Sequence, residues 1–146
     1  MFEHIEGYYD LLYLLNKDAF KKGKVRLASG QESDFYIDCK QIAFTGRGQS
    51  LIGNIFYQML EDFEKGGNTI DACGGMALGA VPLACALSFT TFLRNKRDLP
   101  CLAVRTQMKT HGMGKTVEGA TKLKPKALIL LVEDVITTGS SFVPFM

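Results

Sequence analysis

The residues best suited to chemistry follow a strongly apolar run in the segment LILLVEDVITTGSS, residues 128–141. Glu133 and Asp134 come directly after the apolar run. The small polar residues that follow are Thr137, Thr138, Gly139, Ser140 and Ser141. Backbone N–H groups in a glycine-containing turn can surround an anion, and hydroxyl groups add donors. Carboxylates would repel a phosphate but accept hydrogen bonds from a vicinal diol. The segment therefore predicts a sugar phosphate site, with diol and phosphate at opposite ends of one loop.

A solvated loop between a strand and a helix is the alternative interpretation of this segment, with Asp and Thr as helix caps. Two common nucleotide-binding motifs do not fit it. The lysine of GxxxxGK[ST] is missing after the glycine, and the chain has no GxGxxG. A dinucleotide site is therefore not expected.

A second polar segment, residues 106–126, carries five lysines and a single acid, Glu118. Long segments without helix or strand are often lids that close over a ligand and exclude water. Lys109 and His111 would then meet a polyanionic leaving group. An exposed basic loop without a ligand is the alternative, and the segment alone does not decide between them.

The elements that must position these segments alternate between strands and helices. Helical spacing of apolar residues predicts helices at residues 8–20, 48–65 and about 78–95. The expected strands are residues 24–30, 34–39, 70–73, 101–105 and 127–132. Continuous apolar strands separated by helices indicate a parallel sheet covered on both faces. Ligands of such sheets bind beyond the carboxyl ends of the strands, where both polar segments begin.

Composition excludes several classes of function. With 146 residues, 47% hydrophobic content and a net charge of +2, one globular domain is expected, without a nucleic-acid or membrane partner. The four cysteines form no CxxC pair, so they are expected to be free thiols in a cytoplasmic protein. The acidic N-terminus is unlike a signal peptide. Residues 72–93 carry no charge, but their glycines and Pro82 favour a strand, a turn and a helix over a membrane span.

Several segments together resemble a known family. VEDVITTGSS is similar to the phosphoribosyl pyrophosphate (PRPP) signature of type I phosphoribosyltransferases. LASGQESDFYIDCK, GGMALGAVPLA and VRTQMKTHGMGKTVEG resemble, in order and spacing, segments of the orotate phosphoribosyltransferases. The resemblance covers nearly the whole chain through Ser141. It implies a type I phosphoribosyltransferase-like α/β fold, a parallel sheet flanked by helices, in a single domain of residues 1–146 with an N-terminal hood of about residues 1–40.

The resemblance also implies an activity and a set of site residues. Members transfer ribose 5-phosphate from PRPP to orotate in pyrimidine biosynthesis, as homodimers with shared active sites. Their Mg²⁺ is carried mainly by the substrate pyrophosphate, so no protein ligand to the metal is expected. Glu133 and Asp134 would bind the ribose hydroxyls. The 5-phosphate would be held by Val135, Ile136, Thr137, Thr138, Gly139, Ser140 and Ser141. Arg105, Lys109 and His111 would reach the pyrophosphate, and Lys109 and Asp134 are the expected catalytic residues.

The chain departs from the family pattern at several positions. Thr106 replaces a lysine that usually stands beside Arg105, and Ala28 replaces a lysine that some members use on orotate. Gly79 stands where some members have lysine, and Ser140 replaces a glycine. Family members continue past the phosphate loop with a helix, more strands and an orotate-binding arginine. The expectation is therefore a C-terminally truncated member without the later strands. A non-catalytic regulator that binds PRPP or a nucleotide, or an inactive fragment, is the alternative.

Overall fold

The computed structural model describes residues 3–26, 30, 32–105, 117–120 and 123–136. Its helices are α1 (Tyr8–Leu14), the π-helical segment Leu15–Ala19, α2 (Lys40–Ala43), α3 (Gly46–Glu64) and α4 (Val81–Asn95). Its strands are β1 (Phe20–Arg26), β2 (Glu32–Ile37), β3 (Ala72–Met76), β4 (Cys101–Val104), β5 (Val117–Glu118) and β6 (Ile129–Val132).

Four strands form the central sheet in the order β5-β4-β3-β6. Strand β3 runs parallel to both neighbours, with Gly75 opposite Ala103 of β4 and Val132 of β6. Strand β5 is antiparallel to β4. The predicted α/β fold with a mostly parallel sheet is therefore confirmed. Because β3, β4 and β6 run in one direction, their carboxyl ends lie at the same edge of the sheet.

Two apolar clusters hold the helices to each other and to this sheet. The first joins α1 and α2 to α3 and α4, and its buried members are Leu14, Ala19, Ile42, Ala43, Ile52, Leu83 and Ala86. The second joins α3 and α4 to the sheet, and its buried members are Tyr57, Leu60, Ile70, Cys73, Ala84, Leu87 and Leu99. Burial of these apolar side chains is the main stabilising contribution to the arrangement. The sheet edge that carries the polar segments is thereby fixed relative to α2 and α4.

The strand predicted at residues 70–73 lies two residues further on, at Ala72–Met76, and includes Gly74 and Gly75. Glycine normally weakens a strand, but here close packing requires it. A Cβ on Gly74 would lie 2.7 Å from the Cβ of Leu102, and a Cβ on Gly75 would overlap the Cβ of Ala80. The following helix was predicted from about residue 78 and begins at Val81, which puts Pro82 in its first turn.

Two other parts of the sequence prediction were wrong. The first helix ends at Leu14, and its expected last residue, Phe20, opens β1 instead. Phe20 pairs with Ile37 and its ring stacks on Phe35 at 5.9 Å, so pairing between strands outweighs the helical periodicity. Strand β5 was not predicted, because two residues inside a polar segment leave no pattern. Among the described residues, no helix has the length and apolar character needed to cross a membrane.

Candidate functional site

The carboxyl ends of β3, β4 and β6 lie at one edge of the sheet, as expected for parallel strands. The backbone N–H of Ala77, after β3, donates to the carbonyl oxygen of Val104 at the end of β4, at 2.8 Å. The turn that contains Gly79 lies against Asp134, which follows β6. These contacts join the residues after β3 to the ends of β4 and β6, which are distant in sequence.

Two acids stand at the mouth of β6. Strand β6 ends at Val132, and Glu133 and Asp134 follow it directly. The backbone N–H of Asp134 donates to Oε1 of Glu133 at 3.0 Å. The side chain of Asp134 is only 11% exposed, so its carboxylate is largely enclosed by protein. Enclosing a carboxylate costs free energy unless a cation or hydrogen-bond donors compensate for the lost water.

Lys40 supplies that compensation. It is the first residue of α2, and its Nζ donates to Oδ2 of Asp134 at 3.2 Å. Burial by itself raises the pKa of Asp134, but its hydrogen-bonding contacts with Glu133 and Lys40 outweigh burial, so the pKa lies below its ordinary value. The hydrogen bond to Asp134 in turn raises the pKa of Lys40. Asp134 is therefore an ionised acceptor at neutral pH. Sequence reasoning assigned no role to Lys40, although it is the last residue of the segment LASGQESDFYIDCK.

Gly79 leaves the space that Asp134 occupies. A Cβ added at position 79 would overlap both carboxylate oxygens of Asp134. The side chain of Asp134 therefore lies directly over the backbone of the turn after β3. A larger residue at position 79 is incompatible with this placement, which gives a physical reason for glycine at this position.

Arg105, the first residue after β4, already has a partner. Its Nη2 and Nε lie 3.1 Å and 3.3 Å from Oε1 of Glu118 on β5. The two side chains are 40% and 44% exposed, so water screens the pair and its contribution to stability is small. Arg105 can therefore exchange Glu118 for a bound anion at little cost. The predicted cation is present at the sheet edge, and Glu118 is a contact that sequence reasoning did not foresee.

The other predicted site residues divide into two groups. Val135 and Ile136 are described and follow Asp134 with 52% and 65% exposure. Outside the described residues lie Lys109, His111, Thr137, Thr138, Gly139, Ser140 and Ser141. Within the described part of the chain, no group of three or more His, Cys, Asp or Glu side chains is arranged to hold a metal ion. The described part of the site therefore holds the carboxylates of Glu133 and Asp134, with Lys40 paired to Asp134, and with Arg105 directly after β4.

A cavity of about 390 Å³ between α3 and β6 has a different character. Its lining includes the apolar side chains of Phe56, Met59, Phe63 and Leu131, together with Glu133. An apolar lining of this kind does not suit a sugar phosphate, whose hydroxyl and phosphate groups need hydrogen-bond partners. The loop edge around Asp134 therefore remains the candidate site.

Comparison with known proteins agrees with this geometry. No protein-family model matches the sequence. The chain is 44% identical to the orotate phosphoribosyltransferase of Sorangium cellulosum over 131 residues, covering 90% of this chain and 66% of that protein, just under two thirds of its length. It is 36% identical to the orotate phosphoribosyltransferase of Streptomyces avermitilis, covering 90% of this chain and 68% of the relative.

Solved structures show the same likeness. The crystal structure of Mycobacterium tuberculosis orotate phosphoribosyltransferase in complex with PRPP matches with a TM-score of 0.65 and 27% identity. That match covers 92% of this chain and 68% of the other. Fold, sequence identity and extent of coverage agree, and the chain belongs to the orotate phosphoribosyltransferase family.

Proposed function

We propose that this protein transfers ribose 5-phosphate from PRPP to N1 of orotate, giving orotidine 5′-monophosphate and pyrophosphate. The observation that carries the proposal is Asp134, ionised and enclosed at the carboxyl end of a parallel strand, in a segment that resembles the PRPP signature. Relatives that cover most of this chain are named for the same reaction, and one structural neighbour was solved with PRPP bound.

The chemistry assigns a role to each part of the site. Glu133 and Asp134 accept hydrogen bonds from the ribose hydroxyls and orient the ring. Residues 135–141 hold the 5-phosphate through backbone N–H groups and hydroxyls. As the bond from C1 to pyrophosphate breaks and the bond to N1 of orotate forms, C1 becomes cationic and the leaving group gains negative charge. Cations placed on the leaving group stabilise this transition state, and Arg105, Lys109 and His111 are the residues proposed to supply them.

Magnesium fits the proposed site as a companion of the substrate. Carboxylate oxygens are suitable ligands for Mg²⁺, but Oδ2 of Asp134 already accepts a hydrogen bond from Lys40. The metal is therefore proposed to be held mainly by pyrophosphate and ribose oxygens, where it neutralises charge on the leaving group. We also propose a cytoplasmic homodimer in which Lys109 and His111 of one subunit reach the site of its partner.

The experiment is a transfer assay with purified protein, PRPP, magnesium and one acceptor at a time, in which chromatography quantifies the nucleotide product. Orotate is expected to yield orotidine 5′-monophosphate, whereas adenine, hypoxanthine and uracil are expected to yield no product. Asp134→Asn keeps the shape of the side chain but removes its charge. Loss of one charged hydrogen bond, about 1.5–3 kcal/mol, corresponds to a fall of about 10- to 150-fold in kcat/KM for PRPP. Transfer to a purine without transfer to orotate would refute the proposed substrate.

A further inference from the structure

The contact between Lys40 and Asp134 joins parts of the chain that are 94 residues apart in sequence. Lys40 opens α2, shortly after the hairpin of β1 and β2, whereas Asp134 follows the last described strand. Lys40 is 45% exposed, so the pair contributes little to folding stability. The pair nevertheless helps to fix the position of the Asp134 carboxylate. That carboxylate contacts both Lys40 and the turn that contains Gly79.

The charges around Asp134 explain why a cation matters there. The backbone N–H of Asp134 donates to Glu133, and Asp38 lies close enough to Lys40 to raise the pKa of that lysine. Among the described residues, Lys40 is the cation that forms an ion pair with Asp134. Burial by itself raises the pKa of Asp134, and a protonated carboxyl loses acceptor capacity. Without Lys40, Asp134 loses a hydrogen bond and a nearby charge that lower its pKa, and its side chain loses the contact that orients it.

We propose that Lys40 is a positioning residue: it holds the Asp134 carboxylate ionised and oriented over the Gly79 turn, and thereby sets the affinity of the site for the ribose diol of PRPP. The inference rests on the proposed function and adds to it a residue that lies outside the phosphate-binding segment. Lys40 acts through Asp134. Removing its charge is therefore expected to change the titration of Asp134 as well as ligand affinity.

The test combines NMR and calorimetry on the 146-residue chain. Protein labelled with ¹³C at aspartate carboxyl carbons is titrated with pH, and Asp134→Asn identifies the signal of Asp134. Lys40→Met is expected to raise the pKa of Asp134 and to weaken PRPP binding at neutral pH at least tenfold. Its affinity should also begin to fall at a higher pH than in the parent as the pH is lowered. Lys40→Arg keeps the charge and is expected to restore much of both properties.

Lys65→Met is the matched control, because Lys65 also pairs with an aspartate, Asp62, at 2.6 Å, far from this site on the exposed end of α3. It is expected to leave the Asp134 titration and PRPP affinity unchanged. An unchanged pKa of Asp134 in Lys40→Met would overturn the inference, as would a raised pKa with unchanged PRPP affinity. A parent protein that binds no PRPP would refute the proposed function, and the Asp134 titration would still decide whether Lys40 holds that carboxylate ionised.

Discussion

Replacing Gly79 by alanine adds one methyl group where the turn after β3 meets Asp134. The new Cβ would overlap both carboxylate oxygens of Asp134, so the side chain must move away from the turn. That movement breaks the 3.2 Å contact with Lys40. The backbone of Gly79 lies outside the positive-φ region, and alanine itself fits the local conformation. The substitution therefore displaces a site residue without straining the chain.

Gly79→Ala is expected to weaken PRPP binding and to change the free energy of unfolding very little. A hydrogen bond to a charged group contributes about 1.5–3 kcal/mol, so loss of one such bond weakens PRPP binding by about 10- to 150-fold. The half-exposed pair with Lys40 contributes at most about 1 kcal/mol to stability. Alanine recovers about 0.4–1 kcal/mol by restricting the unfolded chain. The free energy of unfolding is therefore expected to change by less than about 1 kcal/mol.

Calorimetric titration with PRPP and unfolding in urea measure the two quantities separately. Gly46→Ala is the control, because Gly46 opens α3 at a position where an added Cβ meets nothing within 4 Å. The control is expected to bind PRPP like the parent. Parent-like PRPP affinity in Gly79→Ala would refute the argument, and so would a loss of several kcal/mol in stability, since the turn would then be a folding element.

Three further substitutions test other parts of the structure. Glu118→Gln releases Arg105, and calorimetry is expected to show pyrophosphate binding up to about fivefold tighter; weaker binding would contradict the role given to Arg105. Glu64→Gln removes the pair with Arg97 and should lower the free energy of unfolding by about 1.5–3 kcal/mol at pH 7. Burial raises the pKa of Glu64, but its hydrogen bonds outweigh burial, so the pKa in the folded protein lies below the ordinary value of 4.5. The stability difference between parent and variant should therefore persist above pH 4.5 and disappear as pH falls through the folded-state pKa. An equal stability difference at all pH values would refute this account of Glu64. Lys109→Ala should reduce orotate turnover at least ~10²-fold and PRPP affinity much less, and unchanged turnover would favour an exposed loop without a ligand.

What the sequence predicted well was local. The apolar run before Glu133 identifies strand β6, which is half-buried, and the parallel-sheet rule then places the two acids at its carboxyl end. The glycines of β3 were assigned to a turn because glycine is rare in strands, and only their packing against Leu102 and Ala80 shows why the strand needs them. A local sequence pattern describes only the preference of one segment. The glycines of β3 are explained instead by close contacts with residues outside the strand.

Lys40 illustrates the same limit at the candidate site. Two adjacent acids in an apolar setting require a compensating cation or hydrogen-bond donors, and that much follows from residue chemistry alone. The chain has 17 lysines and arginines, so many cations could pair with these acids. From the sequence, the basic segment around Lys109 is the obvious candidate, because it is the basic group nearest to Asp134. The partner observed is instead the first residue of α2, which packing brings to the end of β6 from 94 residues away. The packing of α2 against α3 therefore influences the candidate site through one side chain, Lys40. Changes that shift α2 are expected to alter the ionisation of Asp134, even when the loop that follows β6 is unchanged.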